Sequence, residues 1–122
     1  ISRIALAIEM VISNLLKRQT LIFDEIDVGI SGRVAIQVAK KIGILSKSLQ
    51  ILCITHLPQT ACIADKHYKI AKKVIDRHTF AEADLLNESQ HLNAIALMIS
   101  GTYDSASALE SAREMEKSVK NG

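Results

Sequence analysis

The sequence predicts an α/β domain built on a parallel βαβ unit, and three observations carry that expectation. Two short apolar runs, residues 20–23 (TLIF) and 50–55 (QILCIT), have the length and continuity of strands buried on both faces. Between them Ile30, Val34, Val38, Ile42 and Leu45 recur at helical spacing, which predicts a helix over residues 30–47. A strand, a helix of that length and another buried strand make a crossover whose hand is right-handed, so the two strands run parallel and their carboxyl ends share one edge.

The flanking elements follow in order. Ile1, Ile4, Ala5, Ile8, Val11, Ile12 and Leu15 mark an opening amphipathic helix reaching Lys17. Gly29 and Gly32 punctuate the turn after the first strand, and Pro58 starts a short helix that runs to about Asp65. Residues 68–74 and 79–85 alternate in part and predict a β-hairpin joined across Asp76, Arg77 and His78. Leu92, Ile95, Ala96 and Ile99 predict a helix stopped by Gly101, and Leu109, Ala112, Met115 and Val119 a last one begun near Asp104 or Ser105.

A chain of 122 residues, 48% hydrophobic, has the material for one domain, residues 1–122, and too little for two. No apolar run approaches the roughly 20 residues that span a bilayer, and the start lacks the pattern of a secretory signal, so a soluble cytoplasmic protein is expected. Cys53 and Cys62 form no CxxC pair, which points to reduced, buried thiols. A net charge of +2 is too small to announce a nucleic-acid binder, and two Tyr, two Phe and no Trp argue against a base-stacking surface. The chain opens at Ile1 inside a helical pattern with no N-cap before it, as a cut fragment would.

In an open α/β sheet, ligands bind beyond the carboxyl ends of parallel strands. The first strand ends in Asp24 and Glu25 and the second in Thr55 and His56, which gathers two carboxylates and an imidazole on one rim. Read alone, an acid pair after a strand is an ordinary polar turn, and a lone His is a satisfied loop residue; the shared edge sets them apart. Adjacent strand residues point to opposite sides, so Asp24 suits holding Mg²⁺ through its waters and Glu25 suits acting as a general base.

These stretches resemble a known family. LIFDEIDVGISG, residues 21–32, resembles the Walker B strand and D-loop of ABC-type ATPases, in the wording of SMC-like DNA-repair members, and ILCITHLPQTACIAD, residues 51–65, resembles their switch-histidine strand and loop. ISRIALAI, residues 1–8, is similar to the helix after the LSGGE signature, with Ser2 and Arg3 at its start. The resemblance covers the whole chain, more weakly beyond Asp76. It implies a partial P-loop NTPase fold, the second half of an ATPase head, with a hairpin and flanking helices.

Carried over by position, Asp24 is the Walker B acid, Glu25 the catalytic base and His56 the switch histidine at the γ-phosphate. Asp27, Gly29, Ser31 and Gly32 belong to the D-loop that touches the opposite head. The resemblance further implies ATP and Mg²⁺ in the complete protein and a P-loop half of the same head lying beyond a long coiled coil. It also implies a second head in an ATP-sandwiched homodimer, DNA as a target in double-strand-break repair, and a nucleoid-associated location. No Gly is followed by Lys, so the Walker A loop is absent. The chain by itself is therefore expected to hold no nucleotide and to be inactive, and to self-associate through surface the missing half would cover.

Other classes fit less well. A receiver-like phosphoacceptor would explain Asp24 but lacks a strand-end lysine, and a Toprim-like metal site wants a DxD at a strand end with a Glu from another strand, whereas here the second acid is Glu25 and Asp27 falls one place too late. A partner-binding module could use the last helix or Lys66, Lys69, Lys72 and Lys73, although those lysines suit a solvated hairpin face. His67, His78 and His91 share no spacing that would gather them, and are expected at the surface.

Overall fold

Strand β1 (Thr20–Asp24) pairs in parallel with β2 (Gln50–Ile54), in a register from Thr20 opposite Gln50 to Asp24 opposite Ile54. The computed structural model describes residues 7, 8, 11, 20–101 and 106–121. The crossover between the strands is helix α1 (Gly32–Leu45), shorter than the expected 30–47. Val38, Ile42 and Leu45 of the predicted stripe are buried, but Val34 is exposed and Ala35 and Ala39 complete the buried face instead, because α1 packs against two layers. The α/β class and the parallel βαβ unit are as expected. Of the opening helix, Ala7, Ile8 and Val11 are helical, and the rest lies outside the described residues, Ser2 and Arg3 included.

One expectation fails at the sheet. The apolar runs predict strands buried on both faces, but only one face is covered. Leu21 and Phe23 pack on Val38, Ile42 and Leu45, while Ile22 is 67% exposed, Leu52 49% and Ile54 55%. The crossover helix can cover one face only, and among the described residues no other element lies over the second.

Helix α2 (Pro58–Cys62) starts with Pro at a first-turn position, where a missing N–H leaves no bond unmade. It is shorter than expected, ending at Cys62 rather than Asp65. Gly43 of α1 allows the approach to this segment, because a Cβ there would stand 2.7 Å from Cγ1 of Ile63. Strands β3 (Tyr68–Ile75) and β4 (His78–Leu85) form the predicted hairpin, antiparallel from Tyr68 opposite Leu85 to Ile75 opposite His78. His78 thus belongs to the ladder, and only Asp76 and Arg77 turn, both at positive φ (49° and 64°), the backbone of primed two-residue turns.

Helix α3 (Glu88–Ser100) opens with a capping box: the Asn87 side chain accepts from the Gln90 N–H at 2.8 Å and the Gln90 side chain accepts from the Asn87 N–H at 2.9 Å. Gly101, at φ 72°, closes it in the left-handed conformation. Helix α4 (Ala106–Lys120) packs on α3. Small side chains let α1, α2, α3 and α4 approach closely: Ala39, Ala61, Ala96, Ala108 and Ala112 are buried with Cys62, Ile95 and Val119 in one cluster. Helix α1 thus faces the sheet on one side and the helical layer on the other. The hairpin is mostly exposed, with Ile70, Val74 and Phe80 open to solvent.

Candidate functional site

The register brings the two strand ends together. Beyond the last pair, Asp24 with Ile54, the Glu25 N–H donates to the Ile54 carbonyl at 2.9 Å, so the chain after β1 is stitched to the end of β2. The residues that follow β2 are Thr55 and His56. Asp24, Glu25 and His56 are all exposed at this rim. The alternation expected of adjacent strand residues stops at Asp24, because Glu25 has left the strand with φ 51°. A left-handed backbone is strained for glutamate, and such strain collects where a site requires a particular side-chain direction.

After Glu25 the chain turns twice, the Val28 N–H donating to the Glu25 carbonyl at 3.3 Å and the Ile30 N–H to the Asp27 carbonyl at 3.4 Å. These turns direct Asp27 inward. It has no exposed surface, and its Oδ2 accepts from the hydroxyls of Thr55 and, at 2.8 Å, Thr60. Oδ1 is buried with no partner among the described residues. The Thr55 hydroxyl oxygen also accepts from the Leu57 N–H at 3.0 Å. The resemblance assigns Asp27 to the D-loop that touches the opposite head, whereas its side chain is buried against Thr55 and Thr60, two residues to which that reading assigns no role. A polar residue at the first turn of a helix was the only signal pointing at Thr60.

Gly29, Ser31 and Gly32 are exposed. Gly29 (φ 78°) and Gly32 (φ 55°) have open space where a Cβ would sit, so backbone conformation rather than crowding favours glycine there. As to Mg²⁺, Asp24 offers one exposed carboxylate at a strand end, which suits an ion that keeps most of its water and takes its other oxygens from phosphate. Among the described residues no group of three or more His, Cys, Asp or Glu is placed to hold a metal by itself.

Away from the rim, the histidines correct the sequence reading. His67 and His91 are half-buried rather than superficial, their Nδ1 atoms 2.8 Å apart and their rings edge to face at 5.0 Å between centroids. One ring donates and the other accepts, so at least one is neutral. Burial and then His91 push the His67 pKa down, and burial pushes His91 down, against the pull of Glu116, whose Oε1 lies 3.8 Å from its Nε2. Positions 24 apart in sequence leave no periodic trace of such a pair.

The lysines do not make one patch. Lys69 and Lys73 share a hairpin face with Glu82 and Asp84, Lys73 pairing with Glu82 at 2.5 Å, while Lys72 lies on the other face beside Ala81. Both cysteines are free. Burial is the main force raising the Cys53 thiol to about 11 and the Cys62 thiol to about 12, which keeps them protonated and unreactive at neutral pH. No helix among the described residues is long and apolar enough to cross a membrane.

No family model matches the chain. It is 40% identical over 115 residues to the DNA repair protein RecN of Haemophilus influenzae, and 42% over 115 to RecN of Halalkalibacterium halodurans. It is also 40% identical over 117 residues to RecN of Bacillus subtilis. These alignments take in 94%, 94% and 96% of this chain but only 21%, 20% and 20% of the relatives, so the chain spans about a fifth of the length of the curated relatives it matches. Among solved structures, a chain from work on ATP-driven dimerisation and DNA-stimulated activation of SMC ATPases matches with a TM-score of 0.49 and 23% identity, over 70% of this chain and 51% of that one. The likeness read from residues 21–32 and 51–65 is thus to RecN, and it extends along nearly the whole chain.

Proposed function

We propose, from its kinship with a segment of RecN, that this chain is the part of an ATP-hydrolysing head that carries the catalytic carboxylate and the switch histidine of a RecN-like DNA double-strand-break repair protein. One observation above the others supports this reading: the Glu25 N–H bonded to the Ile54 carbonyl at 2.9 Å, which sets the acid pair beside the loop of His56. Two exposed carboxylates and an imidazole on one rim are the groups that phosphoryl transfer to water needs from this half of a site.

In that site Asp24 holds Mg²⁺ through its water shell, and the ion, when bound, neutralises charge on the phosphates. Glu25 accepts a proton from the attacking water and orients it, its backbone turned out of the strand at φ 51°. His56 meets the γ-phosphate. Gly29, Ser31 and Gly32 face a second head in an ATP-sandwiched dimer. The P-loop half of the same head supplies the amides and lysine that grip the phosphates, so the 122-residue chain neither binds ATP tightly nor hydrolyses it. DNA is the target of the whole protein, which acts in the cytoplasm on the nucleoid.

Calorimetric titration with ATP and Mg²⁺ tests the reading, on the chain alone and mixed with a P-loop-bearing half of a RecN-like head. Heat of binding in the mixture only is expected; tight binding by the chain alone would overturn the assignment. In the whole protein, Glu25→Gln should retain ATP binding and lower turnover by about 10²- to 10⁴-fold, and normal turnover would remove Glu25 from the role of base.

A further inference from the structure

A fully buried carboxylate that meets only hydroxyl groups is an expensive way to fill space, since it leaves water without gaining a cation. Asp27 is such a group: none of its surface is exposed, Oδ2 takes the hydroxyls of Thr55 and Thr60, and Oδ1 has no partner among the described residues. What a carboxylate offers here is a single oxygen able to accept from two separate segments at once. The segments it joins are informative. Thr55 directly precedes His56, and the Thr55 hydroxyl oxygen in turn accepts from the N–H of Leu57, which directly follows it. Both chain neighbours of His56 are therefore tied to one buried acid, while His56 itself stays exposed. From the other direction Asp27 sits in the double turn that begins at Glu25, whose carbonyl accepts from Val28 at 3.3 Å.

We propose that Asp27 is a positioning residue: through Thr55 and Thr60 it fixes the loop carrying His56 to the turn carrying Glu25, so that the imidazole and the carboxylate are held as one rigid unit. Its consequence for turnover rests on the reading of Glu25 and His56 as ATPase residues; its geometric content does not. Anchoring the backbone on both sides of an exposed side chain limits where that side chain can go, and misplacing a catalytic group by about 1 Å can cost on the order of 10²-fold in rate.

Two measurements test it. In the 122-residue chain, nuclear magnetic resonance should show Asp27→Ala moving the Leu57 amide and the His56 imidazole signals and speeding Leu57 amide exchange about tenfold or more, as expected when a local hydrogen bond opens. Asp27→Asn, which retains an acceptor oxygen, should restore them. Thr60→Val against Thr60→Ser is read in the same way should Asp27→Ala fail to fold. Unchanged His56 and Leu57 signals in a folded variant lacking the Asp27 or Thr60 contact overturn the proposal, whatever the chain does with nucleotide.

In a whole RecN-like protein carrying this segment, Asp27→Ala should lower kcat by about 10- to 100-fold with KM for ATP within about threefold, and His56→Ala with Asp27→Ala should be no slower than His56→Ala alone. Fully additive losses would overturn the coupling. Should His56→Ala itself leave turnover intact, the ATPase reading of His56 fails, and the resonance measurement still decides whether Asp27 holds the loop.

Discussion

The hydroxyl of Thr60 donates to Oδ2 of Asp27 at 2.8 Å across 33 positions of chain, and both residues are buried. This bond fastens α2 to the turn after β1, two segments that share no ladder. Replacing Thr60 by Val keeps the shape and removes the donor, leaving a buried carboxylate short of a partner. A loss of about 1–3 kcal/mol in unfolding free energy is expected by urea denaturation, with Thr60→Ser recovering most of it. A Thr60→Val midpoint equal to that of the unaltered chain would show that the bond contributes nothing.

The burial of His67 and His91, with their mutual contact second for His67, makes stability depend on pH. Both folded-state pKa values lie below the ordinary 6.5, so the unfolded chain binds protons more readily than the folded one. The contribution is present above pH 6.5 and is lost as pH falls through 6.5 toward the depressed values. The urea midpoint should drop between pH 7.5 and 5.5, and the drop should shrink in a His67→Gln, His91→Gln double variant. Because Glu116 favours the charged form of His91, Glu116→Gln should steepen the dependence. A double variant with an unchanged slope would assign the pH effect elsewhere.

The hairpin turn carries Arg77 at φ 64°, a conformation that an L side chain adopts at some cost and glycine adopts freely. Arg77→Gly, which makes the turn Asp-Gly, should raise stability by about 0.5–1 kcal/mol in thermal or urea unfolding. A decrease would mean that the Arg77 side chain supports the hairpin through a contact outweighing its backbone.

The uncovered sheet face should make the chain associate. Ile22, Leu52 and Ile54 are exposed on adjacent parallel strands, a contiguous apolar surface of the kind that pairs with another chain. Substituting all three by Thr puts a strand-compatible β-branched side chain at each position and removes most of the apolar surface. Sedimentation velocity should show concentration-dependent association in the unaltered chain and a shift toward monomer in the variant, with unchanged far-ultraviolet circular dichroism. Association of equal strength in both would exclude this face.

Local rules reached far into this molecule, because most of its elements are short-range objects. The buried Val38, Ile42 and Leu45 of α1, the stop at Gly101 and the hairpin of residues 68–85 each follow from periodicity, capping or alternation within a few neighbouring positions. The rim of Asp24, Glu25, Thr55 and His56 was legible too, since a crossover unit fixes which strand ends meet.

What sequence by itself determined about this protein is therefore its α/β class, its element order, its candidate rim and its kinship with a stretch of RecN. The tertiary structure alone decided which groups are buried and paired at long range: the capture of Asp27 by Thr55 and Thr60, the meeting of His67 with His91, and the open face over Ile22 and Ile54. Two apolar runs read the same whether one or both faces are covered, because periodicity records a residue's own character and not what stands opposite it. Contacts across 24 to 33 positions have no signature in spacing; they arise when packing brings separate segments together, and only there is the desolvation of a carboxylate or an imidazole settled.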